Sequence, residues 1–314
     1  MGWITQSRKA MKRVRIKMGM NYDILNLLSD VFPLLGGLSQ KKVLTLGVQD
    51  CYFTYDEIIP LLRIKKLLRT PLDQRDVQLT NGFKWASECE RAKYVNCIHQ
   101  KSLFAMLGFS PENVFSLDGN KYEDADIVHD LNVPVTGMDG KYDLIFDGGT
   151  VEHVFSVKDA LFNVARMCRI GGVVVHYGPV SMINHGYYNF NAELFRDFYL
   201  ANGFEKVALK YIVVPIHPDK AKVGYYEFEP ERMICAPSPY YRVGVYSVFR
   251  KNADVTLAIP QQGFYDSVWA EQSDKKARLS VWQKKLADFL DRFYLSSSIA
   301  RLLFNSMSGK WVRI

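Results

Sequence analysis

The chain has 314 residues, 48% of them hydrophobic and 23% charged, enough for one large domain with extensions or two small ones and too apolar for a disordered chain. No run of about 18 apolar residues exists, so no transmembrane helix is expected. The net charge of +7 is uneven: residues 1–20 carry +6 and residues 271–314 carry +5, which leaves 21–270 at −4 and argues against a nucleic-acid-binding core.

In chain order, residues 22–35 repeat apolar side chains at helical spacing and stop at Gly36-Gly37. Lys41-Lys-Val-Leu-Thr-Leu-Gly47 reads as a short buried strand opening into a turn. Thr54-Tyr-Asp-Glu57 matches a capping box, with Pro60 compatible with a first helical turn. A helix is expected from about Arg91 to Leu107, stopped by Gly108 and Pro111. Val114–Asp118 and Asp126–Asp130 read as second and third strands, each ending in an acid.

Tyr142–Asp147 is the fourth strand, followed by Gly148-Gly149. A helix over Val157–Arg169 is expected to stop at Gly171-Gly172, with Val173–His176 as the fifth strand. A further helix covers about 192–202, and two last strands lie near 206–214 and 240–250 with no obvious helix between them, so they pair antiparallel. Residues 266–314 return to helical patterning, with Leu279, Trp282, Leu286, Phe289, Leu290 and Phe293 on one face. Strands alternating with helices define an α/β sheet, parallel over its first five strands. The expected organisation is a basic segment and helix over 1–40, the sheet domain over 41–250 with an insertion at about 55–90, and a helical extension over 251–314.

Ligands of such sheets sit outside the carboxyl ends of the strands. Those ends supply Gly47, Asp118, Asp130 and Asp147-Gly148-Gly149. A glycine that permits close approach, plus an acid at the end of the second strand, is a nucleoside-binding arrangement. GxGxxG and the P-loop pattern are both absent, so a cofactor with adenosine but no phosphates remains, which points to S-adenosylmethionine.

Val43-Leu-Thr-Leu-Gly47, Ser116-Leu-Asp118, Tyr142-Asp-Leu-Ile-Phe-Asp-Gly-Gly-Thr-Val-Glu-His-Val154 and Ala165-Arg-Met-Cys-Arg-Ile-Gly-Gly-Val-Val-Val175 together resemble the successive motifs of class I S-adenosylmethionine-dependent methyltransferases. The resemblance covers roughly 41–250. It implies a Rossmann-like, mostly parallel seven-stranded sheet of order 3-2-1-4-5-7-6 with helices on both faces. It also implies that Gly47 approaches the methionine moiety, Asp118 the ribose and Asp130 the adenine, with Asp147, Gly148 and Gly149 bordering the methyl-transfer pocket. The first glycine motif departs from the family's GxGxG: Gln49 and Cys51 stand at its second and third glycine positions, and Thr45 replaces the acid common in that strand.

On the acceptor side, Asn184-His-Gly-Tyr-Tyr-Asn-Phe190 falls where this fold often lays a substrate loop, and its aromatics suit a sugar, glycan precursor or small aromatic hydroxyl. His153 and His185 are candidate general bases, with Glu152 orienting a partner or capping a helix. His176, inside a strand, reads as a satisfied core histidine. Asp124-Ala-Asp126 reads as a chance spacing of acids rather than a metal motif. The five cysteines form no CxxC pair, so buried thiols and no metal site are expected.

The resulting expectation is a cytoplasmic methyltransferase using S-adenosylmethionine on a small hydroxylated acceptor. The alternative is a catalytically silent module of the same fold that binds or scaffolds a partner. A third reading has the basic ends touching anionic surfaces.

Overall fold

In the computed structural model, residues 18–80, 83, 94–215, 223–229, 241–263 and 265 are described. The chain divides into two compact units, one of residues 1–228 with 234–259 and one of residues 229–233 with 260–314. Of the second unit, residues 229, 260–263 and 265 are described, with Tyr265 N donating to Gln262 O at 3.0 Å. The basic stretch at residues 1–17 and the apolar face expected from Leu279 to Phe293 lie outside the described residues.

The first unit is built on a mixed sheet. Strand β1 (Val43–Leu46) pairs in parallel with β2 (Val114–Asp118) on one side and β4 (Tyr142–Asp147) on the other. The two-residue β3 (Ile127–Val128) extends the sheet beyond β2. β5 (Cys168–Pro179) runs parallel to β4 and antiparallel to β8 (Tyr241–Lys251). β6 (Phe204–Pro215) lies beyond β8, and β7 (Gly224–Glu227) closes the edge. The order is β3-β2-β1-β4-β5-β8-β6-β7. The sheet is therefore eight-stranded, not seven-stranded. β7 is an added edge strand, and without it the order is the 3-2-1-4-5-7-6 expected from the resemblance. Its Gly-Tyr-Tyr-Glu run is short and half-exposed, so it carries no apolar alternation to reveal it.

Successive side chains of a strand point to opposite faces, and both faces are covered. Val43, Leu144, Phe146, Val173 and Val175 join one core with helices α1 (Tyr22–Leu28), α2 (Phe32–Leu35), α3 (Tyr55–Ile64) and α4 (Gln100–Met106). Leu44, Leu46, Ile145 and Val174 join the other with α5 (Val157–Met167) and α6 (Ala192–Ala201). This is a Rossmann-like fold, defined here by strand order and by helices on both sides.

Several element ends differ from the sequence expectation, each for a local reason. The 22–35 helix is two pieces, because Pro33 cannot donate to Ser29 O and its ring crowds that carbonyl. The Thr54–Glu57 capping box forms in both directions, but Pro60 lies in the second turn of α3, where it forgoes one intrahelical bond. α4 begins at Gln100 rather than near Arg91. Cys97 and Ile98 are engaged in bridges to Thr54 and Leu79, and His99 Nδ1 accepts from Lys101 N as the cap. α5 stops at Met167, not at Gly171-Gly172: Cys168 is already extended, and the register of β5 on β4 slips so that Tyr142 faces Cys168 while Leu144 faces Val173.

Candidate functional site

The strand order reverses between β1 and β4, and the crevice at such a switch point is where open α/β sheets bind ligands. Gly47, directly after β1, has φ +74°, a conformation costly for any side chain. A methyl group there would stand 3.0 Å from Thr150 Oγ1 and 3.8 Å from Asp118 Oδ2. The turn therefore faces the carboxylate at the end of β2, whose Oδ1 accepts from Asn120 N at 3.2 Å.

Beneath the turn lies a buried polar network. Gln100 Oε1 accepts from Gln49 N at 2.8 Å and stands 3.1 Å from Thr45 Oγ1, which also reaches Gly47 O at 2.8 Å. Gln49 Nε2 donates to Leu46 O at 2.5 Å, while its Oε1 is buried without a partner and lies against Gly148. Residues 18–20 cross this end of the sheet. Gly19 N donates to Gly148 O, Met20 N donates to Asp50 O, Tyr52 N donates to Met20 O, and Met18 packs on Gly149.

The donor and acceptor set fits an adenosine cofactor with an amino-acid tail. Asp118 offers carboxylate oxygens for ribose hydroxyls, and the orphaned Gln49 Oε1 is an acceptor suited to an ammonium. Gln49 thus occupies the family's second glycine position and brings a polar group to it.

Past Gly149 the chain makes a short 3-10 turn, Val151–His153. Glu152 is fully buried, His153 is exposed, and His185 arrives from the 184–190 loop. His185 Nε2 stands 3.2 Å from Glu152 Oε1, and the rings of His153 and His185 meet edge-on with centroids 5.1 Å apart. Glu152 O accepts from Tyr187 N at 2.8 Å and Tyr188 N at 3.3 Å. Gly186, at φ +78°, sits so close that a methyl group would meet Glu152 O at 2.7 Å. The loop is thereby clamped to the turn. Burial, and then the charge of Asp147, push the Glu152 carboxyl above its ordinary pKa, against the lowering effect of the His185 bond. Loss of hydration and then the neighbouring His185 push His153 below the usual imidazole value. Beside the pair, the exposed rings of Phe155 and Tyr187 meet edge-on at 5.8 Å.

The other candidates are placed differently. The Asp147 carboxylate turns inward: Oδ2 is 2.7 Å from His176 Nδ1, and Oδ1 accepts from Thr150 N and Val151 N. His176 Nε2 reaches Tyr199 OH at 2.6 Å, so His176 is a buried histidine answered on both nitrogens. Asp130 is exposed, and its Oδ1 accepts from Asn132 N and Nδ2. The structure therefore gathers Gly47, Gln49, Asp118 and Gly148 around one turn and Glu152, His153 and His185 around the next. Asp130 is spent on its own loop. Sequence reasoning missed Gln100 and Thr150, whose hydroxyl donates to Leu46 O at 2.6 Å. Nothing in the sequence singled out Gln100, which lay inside a helix expected to begin near Arg91. The Asp126 carboxylate is engaged by Ser116 and Lys101. Cys51, Cys97 and Cys168 are buried thiols.

No protein-family model and no curated protein matches the chain. Among solved structures, it is similar to one described for the conversion of a disulfide bond into a thioacetal group during echinomycin biosynthesis, at 14% identity and TM-score 0.37, covering 84% of this chain and 93% of that one. The YcgJ protein from Bacillus subtilis matches at 8% identity and TM-score 0.37, over 74% of this chain and 100% of that one. The trans-methyltransferase CalH in complex with SAH matches at 12% identity and TM-score 0.33, over 73% and 54%. No described helix is long and apolar enough to cross a membrane.

Proposed function

We propose that this protein transfers a methyl group from S-adenosylmethionine to a small hydroxylated acceptor. The observation that carries the reading is the strand-end pair at the switch point, the Gly47 turn facing the Asp118 carboxylate. Asp118 would hold the ribose, Gly47 would allow close backbone approach, and Gln49 Oε1 would receive the ammonium. When bound, the cofactor supplies an electrophilic methyl group on a sulfonium.

The chain's own part is alignment and proton removal. An in-line displacement depends chiefly on how well the two reactants are held. The clamped 184–190 loop supplies a fixed wall, and the exposed Phe155 and Tyr187 rings suit the apolar face of a sugar or an aromatic ring. With Nε2 donating to Glu152, His185 keeps Nδ1 as its lone-pair nitrogen, the form in which an imidazole accepts a hydroxyl proton. A sugar or glycan precursor is the acceptor class that these surfaces favour.

Calorimetry of the full chain with S-adenosylmethionine and S-adenosylhomocysteine tests the reading. Saturable binding is expected, weakened about ten- to hundredfold in Asp118→Ala, as for the loss of hydrogen bonds to a charged group. Absence of binding for both ligands overturns it.

A further inference from the structure

We infer that Glu152, His153 and His185 form a binding site for one divalent transition-metal cation. Each offers one ligand atom, and the three atoms lie within 4.8 Å of one another. Metal–nitrogen and metal–oxygen bonds of about 2.0–2.2 Å put neighbouring ligands roughly 3.0–3.5 Å apart. Glu152 Oε1 and His185 Nε2, at 3.2 Å, already stand at that spacing. The nitrogen of exposed His153 lies within 4.8 Å of the other two ligand atoms and would have to move inward to complete the set.

A second observation points the same way. Glu152 Oε2 is buried with no hydrogen-bond partner. A buried carboxylate oxygen left unanswered is costly and uncommon. Among the described residues, His185 is the one ion-pair partner of Glu152, and the nearby Asp147 carboxylate adds to the negative potential. A cation held by Nε2 and by both carboxylate oxygens would take the place of the proton shared with His185, neutralise the carboxylate and answer Oε2.

The site is also prepared mechanically. Two backbone bonds from Tyr187 and Tyr188 to Glu152 O, and Gly186 seated against that carbonyl, fix the His185 loop to the Glu152 turn. Two imidazoles and one carboxylate select zinc, iron(II) or cobalt(II) over magnesium or calcium, which prefer all-oxygen shells. Three protein ligands leave further positions open on the solvent side. The inference concerns the cation alone and does not depend on methyl transfer. A cation on Nε2 leaves the ring proton on Nδ1, so His185 would serve as base only in the cation-free state.

The full chain, stripped with chelator, is titrated with Co²⁺ and separately with Zn²⁺, following cobalt absorption and heat. One cation per chain is expected at micromolar or tighter affinity, with Mg²⁺ at least a hundredfold weaker. Glu152→Gln and His185→Ala are each expected to weaken binding tenfold or more, and His153→Ala likewise. His129→Ala, on an unrelated loop, leaves it unchanged. Circular dichroism of the near-isosteric Glu152→Gln variant and of the exposed His153→Ala variant separates loss of ligand from loss of fold. Absence of one-to-one binding, or affinity within twofold of the parent in the Glu152 and His185 variants, overturns the inference. S-adenosylhomocysteine titrated into the same samples keeps the two readings apart: cation binding without it removes the methyl-transfer reading alone, and the converse removes the cation site alone.

Discussion

Two carboxylate–histidine pairs lie five residues apart at the end of β4, and their surroundings differ. Asp147 and His176 both come from central strands. Each carboxylate oxygen and each ring nitrogen has a partner, ending at the Tyr199 hydroxyl. Glu152 comes from a 3-10 turn and His185 from a loop, and one carboxylate oxygen is left over. In a low-dielectric interior a fully answered polar cluster holds neighbouring elements in one arrangement, whereas a cluster one partner short carries a cost that a bound ligand would relieve. Chemically similar pairs therefore stand in different states, decided by whether the surrounding chain completes them.

The largest test of that contrast is His176→Ala. It strands a buried carboxylate and a buried phenol, and should cost about 3–5 kcal/mol in urea unfolding, as for breaking a buried pair from one side. A loss below about 1 kcal/mol would show that the inner cluster does not hold the sheet ends. Next comes Gly186→Ala. The left-handed backbone and the close Glu152 carbonyl should together cost about 1–3 kcal/mol. The same variant should weaken cobalt binding, because the loop that carries His185 is displaced. The smallest effect belongs to His185→Ala, at about 1 kcal/mol or less, since its imidazole is about a third exposed and water can replace it. If His185→Ala proved as damaging as His176→Ala, the outer pair would be a structural element like the inner one.

How much of this was legible in sequence depended on how local its cause was. β2 and β4 were readable to the residue, because each is an apolar run ended by an acid. The capping box of α3 was readable because its partners are three residues apart. The gathering of Gly47 and Asp118 followed from strand ends in a parallel sheet. The opposite orientations of Asp147 and Glu152 were not readable, because they are set by how the turn after Gly149 packs. Nor was the support of Gln49 by Gln100, about fifty residues away. Pairing across such distances leaves no spacing signal in a single sequence, and neither does the crossing of residues 18–20 over Gly148.

The end of α5 has a consequence for the order in which the molecule is assembled. No glycine directly follows its last turn, although Arg166 O accepts from Gly140 N at 2.8 Å. Instead the buried Lys251 ammonium, at the far end of β8, accepts no bond but donates to Ala165 O at 2.8 Å and Cys168 O at 2.9 Å. A cation at a helix C-terminus is favourable by charge as well as by hydrogen bonding. Here it comes from a residue made more than eighty positions later. Ala165 O and Cys168 O therefore gain this partner only once β8 lies between β5 and β6. A chain cut short of Lys251 would lose the end of β8 and, with it, two bonds to the end of an earlier helix.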